Sequence, residues 1–230
     1  LIALILAGGM GKRLKPITDN IPKALVPING IPIILWQIKY FKKFGVDEFV
    51  ICTGYKGDKI EEYVESENLG IKVHYSHEKE PLGTGGAIKN AAMFLKKDFF
   101  VINGDVITDI VPTSLMLKPF SIATINLKSQ YGTLTISDDN ITVDGFQEKG
   151  AIQDYWMNAG IYHLSQDIIN ELPEKGNIED MTFPALAKRG LLSAIKYKNN
   201  FWHSIDSHKD IEECEKSMKE KNYNSFITIQ

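Results

Sequence analysis

Arginine is scarce in this chain. Of 26 lysines and arginines, only Arg13 and Arg189 carry a guanidinium. Guanidinium is the usual bidentate partner of phosphate, so an arginine inside a glycine-rich loop stands out. An excess of positive charge is also missing. The net charge is −3 and the pI about 6.0. That argues against a nucleic-acid partner, which needs a broad basic face, and leaves small acidic ligands held in a local basic pocket. Cysteine is limited to Cys52 and Cys214, without the spacing of a metal site or a disulfide framework. Such usage suits a reducing cytoplasm. Long apolar runs are absent. The opening LIALILAGG is too short for a bilayer and has no basic flank. No membrane partner is expected, and the run reads as a buried strand.

What is present is a chain of 230 residues, 43% of them hydrophobic, enough for a sizeable core. The first half alternates strand and helix signals. Strands are expected at Ile2–Ala7, Glu48–Cys52, Ile71–Tyr75 and Phe99–Asn103, and helices at Ile33–Phe44, Asp58–Val64 and Ala87–Leu95. That alternation predicts a doubly wound, Rossmann-like α/β fold with parallel pairing. The second half is richer in strand signals, at Ser121–Leu127, Gly132–Ser137, Ile141–Phe146, Asn158–His163 and Leu191–Tyr197. Asp138-Asp139-Asn140 marks a hairpin. Helices are expected at Ser165–Glu171, Glu179–Lys188 and Ser207–Lys221, the last with Ser207 as N-cap and Asp210 completing a capping box. We find no repeat, low-complexity segment or linker. The reading is one domain, a nucleotide-binding half over about 1–110 and a half for the second substrate over about 111–230, with a mixed, mostly parallel central sheet flanked by helices.

Residues 7–13 read Ala-Gly-Gly-Met-Gly-Lys-Arg directly after the first strand. Glycines there let backbone N–H groups converge on phosphate oxygens. The loop lacks the third glycine of the dinucleotide fingerprint and the Gly-Lys-Ser/Thr ending of the P-loop. On the glycines alone, a tight turn needing positive φ stays open as the alternative. The stretch 6–32, LAGGMGKRLKPITDNIPKALVPINGIP, goes further. It resembles the signature of the sugar-1-phosphate nucleotidylyltransferases: leucine-alanine-glycine-glycine-x-glycine-x-arginine, then proline-leucine-threonine, then proline-lysine-x-leucine-x-proline. The resemblance implies that Arg13 and Lys23 hold a triphosphate and that Leu6, Ala7, Gly8, Gly9 and Gly11 form its cradle. Two cations there would neutralise charge on a leaving pyrophosphate.

Further motifs follow in the family's order. Glu80-Pro81-Leu82-Gly83-Thr84-Gly85-Gly86-Ala87 resembles the loop that contacts the base and sugar of the nucleotide, through Gly83 and Thr84. Asn103-Gly104-Asp105 ends a buried strand with a carboxylate, where α/β sheets bind ligands. The resemblance makes Asp105 a ligand for Mg²⁺. Phe146-Gln147-Glu148-Lys149 is similar to the motif whose lysine binds the acceptor's phosphate and whose glutamate contacts its sugar. Asn158-Ala159-Gly160-Ile161-Tyr162 matches the sugar-binding strand, with Asn158 and Gly160 as contacts. Glu179 stands where relatives often carry an acid that reaches the sugar. Before the last helix, many relatives have tryptophan-x-aspartate-x-glycine-threonine. This chain has Ser204 in place of that aspartate and Asp206 two residues on. Residues two apart on an extended segment share a face, so Asp206 is the candidate second metal ligand; a turn residue is the alternative.

The resemblance implies an enzyme that joins an NTP to a sugar 1-phosphate, giving an NDP-sugar and pyrophosphate. Arg13, Lys23, Asp105 and Lys149 would be its catalytic residues and Mg²⁺ its cofactor. Hexose or manno-heptose acceptors with GTP, dTTP or UTP are favoured, and oligomerisation is left open. Two other classes stay in view: a non-catalytic, ligand-sensing relative, and a cytidylyltransferase for another phosphate acceptor. Retention of the four catalytic candidates opposes the first. The loop at Gly83 and the Asn158 strand oppose the second.

Overall fold

The computed structural model describes residues 1–129, 131–139, 141–148 and 150–223, with the side chains of Lys128, Ala151, Gln153 and Asp154 left out. In chain order the main elements are β1 (Ile2–Leu6), α1 (Ile17–Asn20), β2 (Pro27–Ile28), β3 (Ile31–Pro32), α2 (Ile33–Lys43), β4 (Glu48–Thr53), α3 (Gly57–Ser66), β5 (Lys72–His77), α4 (Gly83–Asn90), β6 (Phe99–Asn103), β7 (Val106–Thr108), β8 (Phe120–Ser129), β9 (Thr133–Ile136), β10 (Val143–Gln147), β11 (Gly150–Leu164), α5 (Thr182–Lys188), β12 (Ser193–Tyr197), β13 (Trp202–Ser204) and α6 (His208–Glu220).

A seven-stranded sheet runs in the order β12-β8-β11-β6-β1-β4-β5. All neighbours pair in parallel except β11, which is antiparallel to both β6 and β8. The expected α/β class with a mixed, mostly parallel sheet is what folds. β1 lies inside the sheet and is apolar throughout because both of its faces are covered. Ala3 and Ile5 pack with Ile34, Ile38 and Phe41 of α2 and Ile60 of α3. Ile2 and Leu4 pack on the other face with Ala87 and Ile88 of α4 and Leu186 of α5. A third cluster seats α6, through Cys214 and Met218, on Trp36, Ile107 and Phe201.

The chain goes from β1 to β4 on one side and later reaches β6 on the other. The carboxyl ends of β1 and β6 therefore flank the point where strand order reverses, which is where such sheets open a crevice. Crossing that point, α2 buries nearly all of its first turns, including one polar side chain, Gln37, at 1% exposure.

Several expectations shift. The hairpin at Asp138–Asn140 forms between β9 and β10, with Asn140 itself outside the described residues. The capping box at Ser207 and Asp210 is present. The segment expected as helix from Ser165 is a 3-10 helix over Gln166–Glu171. The helix expected from Glu179 starts only at Thr182. There the Ile178 carbonyl accepts from the N–H groups of both Thr182 and Phe183, closing a turn before the helix. The helix expected from Ala87 begins earlier, at Gly83, and ends at Asn90, with a short 3-10 helix over Ala92–Phe94. Among the described residues no helix is long and apolar enough to cross a membrane.

Candidate active site

The loop after β1 and the turn after β6 come together so closely that side chains are excluded. A Cβ on Gly104 would stand 2.2 Å from the Leu6 carbonyl oxygen, and one on Gly8 would stand 2.7 Å from Oε1 of Glu78. Gly11 has φ +62, the left-handed region that favours glycine, and packs on Thr18 and Lys23. Between these loops lies a cavity of about 290 Å³. Leu6, Gly8, Gly9, Gly83, Thr84, Gly104 and Asp105 line it, together with Glu78, Pro81, Ala87, Asn103 and Asn177.

At one end the cavity meets an ionic cluster built from three distant segments. Lys23 Nζ donates to Asp105 Oδ2 at 2.7 Å and to Asp206 Oδ1 at 2.8 Å. Arg13 reaches the same Asp206 oxygen at 2.9 Å. Lys23 follows Pro22 in a tight 3-10 turn, so its backbone is set, and its side chain is 13% exposed against 73% for Arg13. Burial acts to raise the Asp206 carboxyl, but the hydrogen bond and charge of Lys23 and the charge of Arg13 outweigh it and hold the group below the usual carboxylate value. Asp206 and Ser204 do share a face, with Ser204 Oγ 3.5 Å from Asp206 Oδ2. Asp210 accepts the N–H groups of Asp206 and Ser207, completing the cap of α6.

At the other end, Thr84 joins the sequence halves. Its Oγ1 donates to Glu179 Oε2 at 2.5 Å and accepts from the N–H of Ile178 at 3.0 Å. Tyr162, fully buried, donates to Glu179 Oε1 at 3.0 Å and accepts from Asn158 Nδ2 at 2.8 Å. Asn158 Oδ1 in turn accepts from the N–H of Gly160. The N–H groups of Gly85 and Gly86 are taken by the carbonyl of Gly176, and that of Thr84 by Asn177 Oδ1. Those amides serve the loop's own packing.

Most of the residues singled out from sequence thus converge. Two residues of the glycine loop do not line the cavity: Ala7 is 3% exposed and its N–H bonds the Cys52 carbonyl, and Gly11 packs on Thr18 and Lys23. Gly160 backs onto Asn103, where a Cβ would stand 2.8 Å from Nδ2. Glu148 lies exposed, with Oε2 near Gly132. Lys149 falls outside the described residues. Sequence reasoning overlooked Glu78, Asn103 and Asn177, and assigned no role to Tyr162. Glu78 was open to discovery by the reasoning that found Asp105, since it follows the carboxyl end of a parallel strand, β5. One of its oxygens accepts from the N–H of Leu82 at 2.9 Å, while the other faces Gly8. Burial raises its carboxyl above the usual value, against the Leu82 bond and nearby His77.

Against known proteins, residues 2–221 match the family described as Nucleotidyl transferase. A D-glycero-α-D-manno-heptose 1-phosphate guanylyltransferase of Campylobacter jejuni is 41% identical over 77% of this chain and 83% of its own length. The mannose-1-phosphate guanylyltransferase catalytic subunit beta of Xenopus tropicalis is 33% identical over 90% of this chain, which spans 62% of that relative. Among solved structures, HddC from Yersinia pseudotuberculosis complexed with GMP-PN superimposes with a TM-score of 0.72 at 31% identity, covering 94% of this chain and 99% of that one. Family match, identity and shared fold agree with the motif order and with the crevice at the ends of β1 and β6, and the chain belongs to the nucleotidyl transferase family, among the sugar-1-phosphate nucleotidylyltransferases.

Proposed function

We propose that the chain transfers a guanylyl group from GTP to a manno-configured sugar 1-phosphate, a heptose in the first instance, and releases pyrophosphate. The observation that carries the base is Glu78. Guanine presents two donors on one edge, N1–H and the exocyclic amine, and a carboxylate is acceptor-only when ionised. A half-buried carboxylate that lines the cavity, with one oxygen against Gly8, complements that edge and opposes uracil, thymine or cytosine, whose edges set an acceptor beside each donor. The guanylyltransferase names of the relatives and the GMP-PN bound to the Yersinia protein point the same way.

The nucleotide would lie with its base towards Glu78 and Pro81 and its phosphates towards Gly8, Gly9 and the Lys23 cluster. Arg13 and Lys23 then draw charge from the β- and γ-phosphates as pyrophosphate departs. Asp105 and Asp206 fit a divalent cation. They already hold a stand-in cation, the Lys23 ammonium, and a polyphosphate-bound Mg²⁺ needs only one or two protein carboxylates. Mg²⁺ bound there would neutralise phosphate charge and so ease attack on the α-phosphorus. Asn158, Gly160 and Glu179 face the acceptor sugar, with Glu148 and Lys149 as the motif-based candidates for its ring and phosphate. A phosphate oxygen of the acceptor attacks in line with the departing pyrophosphate, and the chain's task is to hold two mutually repelling anions together.

The test is a pyrophosphate-release assay over five NTPs with heptose and mannose 1-phosphates. GTP should support turnover, and EDTA and Asp105→Ala should each abolish it without changing the circular dichroism spectrum. Turnover with another NTP but not GTP would overturn the base assignment. Full activity under chelation would overturn the metal.

A further inference from the structure

A polar side chain inside an apolar helix is the least explained feature near the cleft. Gln37 sits on α2 among Ile33, Ile34, Trp36, Ile38 and Phe41, all buried, and is itself 1% exposed. Its Nε2 donates to the Asn103 carbonyl at 2.8 Å and to the Val106 carbonyl at 2.9 Å. These two carbonyls bracket Gly104-Asp105. The opposite amide orientation would set Oε1 against two carbonyl oxygens, so the acceptors fix which way the amide points. Held that way, Oε1 is buried without a partner among the described residues. An unsatisfied buried acceptor is costly, and the side chain offsets that cost by giving two carbonyls of one turn their donor. Its polarity is spent on holding that turn.

The turn that Gln37 grips carries more than Asp105. The Asp105 carbonyl accepts from the N–H of Ile205 at 2.9 Å, and Asp206 follows directly. The N–H of Gly104 bonds the Leu6 carbonyl at 3.1 Å, which ties the same turn to the glycine loop. We propose that Gln37 is a positioning residue for the cation site: by clamping both ends of the Gly104-Asp105 turn, it orients the Asp105 carboxylate and, through Ile205, the Asp206 carboxylate. It touches neither substrate nor cation. The argument rests on the proposed cation site at Asp105 and Asp206.

Gln37→Leu removes both donors, and Gln37→Met keeps the length while removing them. Partners that orient metal ligands typically carry 10- to 100-fold of metal affinity or activity. Both variants should therefore raise the Mn²⁺ concentration for half-saturation of the enzyme with a non-hydrolysable GTP analogue by about tenfold or more, read by electron paramagnetic resonance. The Mg²⁺ concentration for half-maximal turnover should rise in parallel, and the KM for the sugar phosphate should stay within about twofold, as expected when an interaction that does not bind that substrate is lost. Unchanged Mn²⁺ affinity in either folded variant would overturn the proposal. Failure of both variants to fold would overturn it too, by showing that the amide serves the fold. If instead wild-type enzyme with nucleotide binds no Mn²⁺ and Asp105→Ala keeps full turnover, the cation site itself is wrong, an outcome distinct from a wild type that binds Mn²⁺ while the Gln37 variants match it.

Discussion

The Nζ of Lys23 lies 2.7 Å from Oδ2 of Asp105, across 82 residues of sequence, and it bridges on to Asp206 at 2.8 Å. The ammonium thus stands between the two carboxylates that a divalent cation would use. The triphosphate, itself an anion, offers this ammonium a second partner, so arrival of nucleotide and of metal should be linked.

Lys23→Met tests that link. Loss of a charged hydrogen bond to phosphate should lower kcat/KM for the NTP about 10- to 150-fold, or ~1.5–3 kcal/mol. In the absence of nucleotide the same variant should bind Mn²⁺ more tightly than the wild type, because the ammonium that stands between the two carboxylates is gone and only Arg13 remains, on Asp206. Weaker or equal Mn²⁺ binding, followed by electron paramagnetic resonance, would show that the ammonium and the metal do not share a place.

Glu78→Gln should discriminate between bases. The amide turns one acceptor into a donor that faces guanine's own donors. Turnover with GTP should fall about 10- to 150-fold in kcat/KM, while UTP, whose ring offers N–H beside a carbonyl, should gain relative to GTP. A pH series adds a second reading. Burial raises the Glu78 carboxyl above its usual value of 4.5, and the ionised form is the acceptor. GTP affinity should be full above that raised value and fall as pH drops through it, and Glu78→Gln should lack this dependence. An identical pH profile in wild type and variant would remove Glu78 from base recognition.

Asp206→Asn asks whether this residue is a cation ligand or a turn residue. The folded-state carboxyl lies below its ordinary value of 3.8. Its contribution to stability is therefore present above that value and is lost as pH falls through the lower, folded one. Thermal melts of the wild type should show this acid loss, and the variant should lack that part of it. The kinetic sign of a ligand is a raised Mg²⁺ requirement. Wild-type kcat and Mg²⁺ dependence in Asp206→Asn would make it a turn residue and leave Asp105 and phosphates to hold the metal.

Tyr162→Phe removes one hydroxyl from a fully buried ring and leaves Glu179 Oε1 and Asn158 Nδ2 without their shared partner. The aromatic packing on Phe183 is kept, so the fold should survive. The KM for the sugar phosphate should rise about tenfold, the cost of a hydrogen bond to a charged group, with a much smaller change for GTP. A variant impaired only towards GTP would place the Tyr162–Glu179 pair on the nucleotide side.

The glycine loop, Lys23, Asp105 and the Asn158 strand were singled out in the sequence through the resemblance of short contiguous motifs to those of a known family. Each sits in a short motif whose chemistry depends on neighbours in the chain: glycines where backbones touch, a carboxylate at the end of an apolar strand. Asp206 was legible for a similar reason, since alternation along an extended segment puts it on the face of Ser204. The capping box of α6 was too, because Ser207 and Asp210 lie within one turn. Glu179 was misread as the start of a helix because an acid in a first turn is a common local preference, whereas its actual partners, Thr84 and Tyr162, are 95 and 17 residues away. Glu78 had only its place just beyond an expected strand to mark it, and the pairing of β5 with β4 brings that strand's carboxyl end to the cleft. Gln37 reads in sequence as one polar residue in an apolar helix. Only the packing of α2 under the turn after β6 gives its amide two carbonyls to hold. Sequence by itself determined the chemistry carried by contiguous segments, because backbone conformation and side-chain direction are set locally. Tertiary structure decided which charges share a partner and which polar groups position them, because hydrogen bonds and ion pairs act over a few ångströms of space, and strand order alone brings residues 82 to 183 positions apart within that reach.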